Sequence, residues 1–218
     1  MSIDRVHDSW WLDMGRCKRL QKRFGDYDEF VSNGGNSENK IPIFKVVNNL
    51  LDKHIENPIF MEIGCGPGHF LWGFKEKVSK IIGIDYSPAM IELASSQLSK
   101  YDVDQEFFIG NCWDIPLLDN SVDISLQVDV CMHIGGSWDA IKEMIRVSRK
   151  YVVFTGPSFE GFDDRMNKKI GTKSWAISVP LLEKKLNNLT KDGVIDKYKY
   201  VDRPSTEVYD HRILVIEK

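Results

Sequence analysis

The chain has 218 residues, of which 42% are hydrophobic and 28% are charged, a composition typical of one globular domain. Its 29 basic and 32 acidic residues give a formal net charge of −3, so no overall field favours nucleic acid or an anionic membrane. No apolar run approaches the roughly 20 residues of a membrane-spanning helix, and the charged first residues do not resemble a signal peptide. We therefore expect a cytoplasmic protein with no membrane partner.

The cysteine and histidine residues are scattered along the chain, without the spacings typical of a disulfide framework or a metal site. The four cysteines contain no C-x-x-C pair, and the five histidines contain no pair at metal-ligand spacing. We expect neither a disulfide framework nor a metal site.

The first 55 residues predict helices. Apolar residues recur at three- and four-residue steps over Ser9–Phe24 and again over Ile43–His54, as in helices that bury one face. A glycine- and asparagine-rich loop at 33–39 separates the two patterns.

From residue 59 the pattern changes to short apolar strands that alternate with helices. Such alternation indicates β-α-β units and a mainly parallel sheet, and two closely spaced strands at the end favour an antiparallel hairpin at a sheet edge. We predict an α/β, Rossmann-like, doubly wound sheet of about seven strands, with an antiparallel last strand and helices on both faces. The predicted strands are Ile59–Ile63, Lys80–Asp85, Glu106–Ile109, Asp123–Val128, Tyr151–Thr155, Lys197–Val201 and Arg212–Glu217, and the predicted helices are Phe70–Val78, Ser87–Ser99, Trp138–Ser148 and Pro180–Leu189.

The segment FMEIGCGPGH at 60–69 carries the clearest chemical signal. A strand runs directly into Gly64, Gly66 and Gly68, and glycines at such a bend allow backbone angles and close ligand approach that a β-carbon forbids. In a doubly wound sheet, ligands bind at the carboxyl ends of the strands, where this loop lies. The dinucleotide fingerprint needs glycine at position 69, where this chain has His69, and the G-K-[ST] of a P-loop is missing.

The pattern E-x-G-x-G-x-G resembles motif I of the class I S-adenosylmethionine-dependent methyltransferases. Later blocks are similar to the same family in the same order: IIGIDYSPAM at 81–90, FIGNCWDIPLLDNSVDI at 108–124, SLQVDVCMHI at 125–134 and IKEMIRVSR at 141–149. The chain departs from the family pattern in three places. Asn111 replaces an Asp, Met132 replaces one of two histidines, and the Leu-Lys-Pro-Gly turn before the fifth strand is absent.

The resemblance implies a site for S-adenosylmethionine. Asp85 would accept hydrogen bonds from the ribose hydroxyls, although an acid there would equally serve a nicotinamide ribose. Met90 and Val128 could instead be plain core residues. The cofactor residues implied by the family are Glu62, Gly64, Cys65, Gly66 and Gly68 for the methionine end, Asp85 for the ribose, Tyr86, Met90, Asn111, Cys112 and Trp113 for the adenine, and Gln127 and Val128 beneath the sulfonium.

The implied reaction is in-line transfer of a methyl group to a small-molecule acceptor, at oxygen by a narrow margin. His133, just past the fourth strand, is our candidate general base and Asp129 is the second choice, although a structural role would explain either residue. The candidate substrate-binding residues are Tyr27, Trp10, Trp11 and Arg165, for which core packing or surface charge is the alternative.

Other functions stay open at this point. A basic stretch at 16–23 suggests RNA, but its charges spread around the helix as on an ordinary solvated face, so we expect no nucleic-acid partner. Methylation of RNA or protein, a nicotinamide oxidoreductase and a non-catalytic cofactor-binding protein are the alternatives. The sequence predicts one domain over 1–218, divided into a helical cap or lid (1–55), a cofactor-binding core (57–155) and a substrate-side insert with the last two strands (156–218), and leaves the oligomeric state undetermined.

Overall fold

The computed structural model of the protein describes residues 41–53, 55–161, 167–170, 174–203 and 210–218. The predicted helix over Ser9–Phe24 and the predicted loop at 33–39 lie outside these residues. The chain divides into two units, with the boundary after Asn111. The predicted fold class, α/β and Rossmann-like with mainly parallel strands and an antiparallel last strand, is confirmed.

Three parallel strands, in the order β3-β2-β1, form the sheet of the first unit. They are β1 (Ile59–Ile63), β2 (Lys80–Asp85) and β3 (Asp104–Ile109). Four of the five residues of β1 and four of the six of β2 are buried, as near-continuous apolar runs predict. The register pairs Ile63 with Ile84 and Asp85 with Ile109, so the carboxyl ends of the three strands share one edge.

Among the described residues of the first unit, the α-helices are α1 (Ile41–Leu51), α2 (His69–Phe74) and α3 (Pro88–Leu98). The predicted helix over Phe70–Val78 is shorter than expected, because the chain tightens into a 3-10 turn at Lys75–Lys77. Helix α3 begins as predicted: the side chain of Ser87 accepts a hydrogen bond from the main-chain N–H of Met90, and proline follows it in the first turn.

Aromatic packing joins α1 and α2 to the sheet. The ring of Phe44 lies 4.8 Å from that of Phe70 and 5.1 Å from that of Phe74, and Phe74 meets Phe60 of β1 at 5.0 Å between centroids. Aromatic pairs at such distances add to the gain from burial. The glycine loop that connects β1 to α2 is therefore held at both of its ends by a packed core.

In the part of the second unit that the structure describes, six strands form the sheet. They are β4 (Val122–Val128), β5 (Ser148–Phe159), β6 (Asn167–Ile170), β7 (Ser174–Ser178), β8 (Lys197–Arg203) and β9 (Asp210–Glu217). Strand β5 pairs parallel with β4 and, at its last residues, with β7; it pairs antiparallel with β9, which also pairs antiparallel with β8. The antiparallel hairpin β6–β7 is not anticipated by the sequence pattern.

The helices of the second unit are α4 (Cys131–Ile134), α5 (Ser137–Val147) and α6 (Val179–Lys191). Helix α5 buries one apolar face, whereas α4 is a single turn that follows β4 directly. Among the helices that the structure describes, none is long and apolar enough to span a membrane.

Candidate functional site

The glycine loop is the first element of the candidate site. Gly64, Gly66 and Gly68 all have positive φ, at 66°, 52° and 86°, a region that residues with a β-carbon rarely adopt. The main-chain N–H groups of Gly64 and Cys65 donate to the carbonyl oxygen of Ile84 at 2.7 and 3.0 Å. The loop is thus built onto the end of β2, as its position after β1 predicts.

Asp85 ends β2 beside this loop. Its Oδ2 accepts a hydrogen bond from the N–H of Gly66 and its Oδ1 accepts one from the N–H of Ser87, each at 2.8 Å. Burial raises the pKa of the Asp85 carboxyl, and the bonds from the main-chain N–H groups oppose that rise. A carboxylate has about four lone-pair sites, so Asp85 keeps capacity for a further donor beside the main-chain N–H groups of Gly66, Ser87 and Tyr86. The carboxylate is therefore fixed in place and suited to a hydroxyl group of a ligand.

Glu62 adds a second acidic group beside the loop. Glu62 on β1 is 3% exposed, and Cys65 within the loop is 4% exposed. Burial, followed by the negative charges of Asp85 and Glu62, raises the pKa of the Cys65 thiol well above its ordinary value. Cys65 is consequently a neutral thiol, and the field of the two carboxylates favours a positively charged ligand group.

The remaining predicted residues of the first unit differ in exposure. Tyr86 is 47% exposed, Asn111 is half-buried, and Met90 is 2% exposed within α3, which agrees with core packing as well as with a cofactor role. The N–H of Gly110 donates to the carbonyl oxygen of Asp85 at 3.0 Å. The residue before Asn111 is thereby tied to the acid that ends β2.

In the second unit, Asp129 is held tightly at the end of β4. Its φ of 57° is unusual for a residue with a β-carbon. Its main-chain N–H lies 3.2 Å from Oγ1 of Thr155, and the Thr155 hydroxyl donates to Oδ1 of Asp129 at 2.9 Å. Gln127 of the same strand is fully buried, and Val128 is half-buried. Strained backbone of this kind persists only where its surroundings enforce it, and it concentrates at functional sites.

The other predicted residues of the second unit lie around α4. His133 is half-buried on this helix, and its main-chain N–H donates to the carbonyl oxygen of Val130 at 2.9 Å. Cys112 is 2% exposed, and Nε1 of Trp113 donates to the carbonyl oxygen of Gly136 at 3.2 Å. Two residues important to this arrangement, Thr155 and Gly136, are absent from the sequence-based site.

Four predicted substrate residues, Tyr27, Trp10, Trp11 and Arg165, lie outside the described residues, so their roles stay predictions. Within the described ranges, no group of three or more His, Cys, Asp or Glu side chains could hold a metal ion.

Comparison with known proteins gives a family match and a fold match. A family model described as "Methyltransferase domain" matches residues 61–154. An uncharacterized methyltransferase from Mycobacteroides abscessus is 30% identical over 105 residues, which are 44% of this chain and 40% of the relative. The malonyl-[acyl-carrier protein] O-methyltransferase of Yersinia pestis is 32% identical over 94 residues, 42% of this chain and 33% of the relative. The chain thus spans less than half the length of either relative.

Two solved structures share the fold. Magnesium protoporphyrin IX methyltransferase from Synechocystis PCC 6803 with bound S-adenosylmethionine has a TM-score of 0.65 at 12% identity, covering 100% of this chain and 98% of that one. A SAM-dependent methyltransferase from Aquifex aeolicus has a TM-score of 0.59 at 18% identity, covering 94% and 98%. At these identities the likeness concerns the fold alone.

Proposed function

We propose that the chain is a class I S-adenosylmethionine-dependent methyltransferase that transfers the methyl group to a small-molecule acceptor, with oxygen as the acceptor atom. The match of residues 61–154 to a methyltransferase domain supports this proposal. The hydrogen bond between Gly66 and Asp85 is the observation that carries the cofactor part of this proposal. It joins a left-handed glycine loop to a fixed carboxylate at the carboxyl edge of the sheet, where ligands of this fold class bind.

The residues of the first unit fit the cofactor chemically. Asp85 keeps acceptor capacity for a ribose hydroxyl, and the negative field of Glu62 and Asp85 suits the amino and sulfonium groups. A β-carbon added at Gly66 would meet nothing within 4 Å, so the loop leaves space for a ligand at its backbone. Tyr86, Met90 and Asn111 are proposed for the adenine, and the roles of Cys112, Trp113, Gln127 and Val128 stay predictions from the family resemblance.

S-adenosylmethionine supplies an activated methyl group, because its sulfonium is a good leaving group. The protein then has mainly to align the acceptor with the methyl carbon, a contribution that reaches about 7–11 kcal/mol in ideal intramolecular cases. A hydroxyl acceptor also loses a proton, for which we propose His133 or Asp129. Asp129 is rigidly held, because Thr155 engages both its main chain and its carboxylate.

The choice of a small molecule rests on the relatives. The Yersinia pestis relative is named a malonyl-[acyl-carrier protein] O-methyltransferase, which supports a small acyl group as the acceptor and oxygen as the acceptor atom. Methylation of RNA or protein is the alternative. The cytoplasmic location remains a prediction.

The proposal is tested by calorimetric titration of the purified protein with S-adenosylmethionine, S-adenosylhomocysteine and NADH. We expect micromolar binding of the first two, lost in an Asp85→Ala variant and kept in Asp104→Ala, which removes an exposed carboxylate at the start of β3. Binding of NADH alone would contradict the proposed cofactor.

The acceptor class is tested with radiolabelled methyl donor and pools of hydroxylated, amino and acidic small molecules, with total RNA and a protein extract as separate arms. Label in a small molecule, attached at oxygen by mass spectrometry, supports the proposal. Label only in the RNA or protein arm would contradict it.

A further inference from the structure

Trp113 is held against the turn between α4 and α5. Its Nε1 donates to the carbonyl oxygen of Gly136 at 3.2 Å, and Gly136 has a φ of 67°. A β-carbon added at Gly136 would lie 2.4 Å from Nε1 and 2.8 Å from Cε2 of Trp113. Position 136 therefore needs glycine for its backbone conformation and, independently, to leave room for the indole ring.

The residue before Trp113 makes a second contact with α4. The thiols of Cys112 and Cys131 are hydrogen-bonded to one another, and both side chains are 2% exposed. This bond and burial raise the pKa of the Cys131 thiol well above its ordinary value. Consecutive residues of the 112–113 segment thus contact Cys131 at the beginning of α4 and Gly136 just beyond its end.

Helix α4 depends on such contacts for its position. It has four residues, and its short-range main-chain bonds run from the N–H of His133 to Val130 and from the N–H of Gly135 to Cys131. One helical turn has little stability of its own, because nucleation fixes several residues for each hydrogen bond gained. The orientation of His133 is consequently set by what α4 packs against.

We propose that Gly136 is a positioning residue through which the 112–113 segment and α4 move as one body, so that cofactor binding at Trp113 fixes the acceptor-side helix that carries His133. The inference rests on the proposed function and on the family resemblance, which implies that Trp113 contacts the adenine. Coupling of this kind is reciprocal. A change that displaces α4 weakens binding of the cofactor, and bound cofactor in turn orders α4.

The test compares two glycine-to-alanine variants that share the same backbone strain. Gly193 has a φ of 69° and nothing within 4 Å of an added β-carbon, whereas at Gly136 the added carbon displaces Trp113. We expect Gly136→Ala to weaken S-adenosylhomocysteine binding by about 5-fold, the scale of one lost hydrogen bond, and Gly193→Ala to leave it unchanged. Equal affinities of the wild type and Gly136→Ala, or equal losses in the two variants, would overturn the inference.

A double-mutant cycle with Trp113→Phe separates positioning from general damage. If Gly136 acts through the indole ring, adding Gly136→Ala to a protein that already carries Trp113→Phe should lower the affinity for S-adenosylhomocysteine by less than about 2-fold. If the two substitutions lowered the binding free energy additively, the proposal that Gly136 acts through Trp113 would be contradicted. Hydrogen exchange over 131–136 provides a second readout: the ligand should slow it in the wild type and in Gly193→Ala, and less in Gly136→Ala.

The two proposals fail in different ways. A wild type that binds no S-adenosylhomocysteine contradicts the proposed function and the inference with it. A wild type that binds normally and shows no change of exchange over 131–136 contradicts the inference alone.

Discussion

The main-chain N–H of Gly66 donates to Oδ2 of Asp85 at 2.8 Å, so the glycine loop and the acid at the end of β2 fix each other's position. The loop contributes a main-chain donor, and the carboxylate of Asp85 holds the main chain of Gly66 in its left-handed conformation. Removing either partner should therefore alter both ligand binding and the free energy of unfolding, and separate measurements distinguish the two effects.

We expect Asp85 to lower stability progressively as the pH rises. Burial raises the pKa of its carboxyl in the folded protein, so the folded state holds this proton more tightly than the unfolded state does. Its contribution to the free energy of unfolding is largest below the ordinary pKa of 3.8 and falls as the pH rises through the folded pKa, by about 1.4 kcal/mol for each pH unit that separates these two pKa values. Urea unfolding of the wild type and of Asp85→Asn from pH 3 upward measures the difference between their free energies of unfolding. If the stability of the wild type relative to the variant increased as the pH rises, the prediction would be contradicted.

Gly66 and Gly68 should respond differently to alanine. At Gly66 the added carbon meets only open space, so the stability cost is the left-handed strain, about 1–2 kcal/mol. At Gly68 the carbon would also lie 3.0 Å from Cδ1 of Leu98 and 3.3 Å from Cβ of Ala94, which adds about 1–3 kcal/mol of overpacking.

Calorimetry and thermal unfolding of these two variants distinguish the roles. We expect Gly66→Ala to lose about 10-fold or more in S-adenosylmethionine affinity with the smaller loss of stability, because its β-carbon occupies the ligand side of the loop. Gly66→Ala binding as the wild type does would show that the cofactor does not approach this residue.

Thr155→Val should destabilise the protein by about 1–3 kcal/mol. The substitution leaves the N–H and the carboxylate of Asp129 without the hydroxyl that joins them, at a position where φ is already 57°. Thr155→Ser keeps the hydroxyl and should cost less than about 1 kcal/mol, the worth of a buried methyl group. Chemical denaturation compares the two variants, and equal losses would mean that the hydroxyl contributes nothing.

Arg146 should stabilise the protein more at neutral pH than in acid. It donates to the carbonyl oxygens of Ile115 and Leu117 and pairs with Asp119 and Glu143, each bond being 2.8–2.9 Å long. Its hydrogen bond lowers the pKa of the Glu143 carboxyl, so this contribution to stability is present above the ordinary pKa of 4.5 and is lost as the pH falls through the folded pKa.

We therefore expect Arg146→Met to reduce stability by about 1–3 kcal/mol at pH 7 and by less at pH 3, because the wild type loses the contribution of the Arg146–Glu143 pair as the pH falls through the lowered pKa of Glu143. Unfolding midpoints in urea at the two pH values provide the measurement. A loss that is the same at both would assign the effect to the carbonyl contacts alone.

The sequence predicts the strands well where burial sets the pattern. The bounds of β1 and β2 match the prediction, because both are apolar runs limited by glycine or charge. The hairpin β6–β7 is missed, since its polar strand at 167–170 exists through pairing with β7 and β7 through pairing with the end of β5, which no local periodicity encodes.

The same distinction applies to the site. The glycine loop and Asp85 are predictable, because left-handed backbone and a fixed carboxylate need particular residue types. Thr155 and Gly136 are not predictable from local pattern, since their importance comes from the partners that the fold brings to them, Asp129 and Trp113. A threonine at the carboxyl end of a predicted strand is the signal that could have identified the first of these.

The place of β9 has a kinetic consequence. This strand lies between β5 and β8, and its register joins Tyr151 to Glu217, so the pairing closes a loop that contains β6, β7, α6 and β8. Closing a long loop costs chain entropy before any contact repays it, and folds rich in such distant pairings assemble slowly. The pairing of β5 with β9 should therefore be the last part of this sheet to form during folding. Until it forms, the apolar strand β5 has an unpaired edge that can associate with other chains.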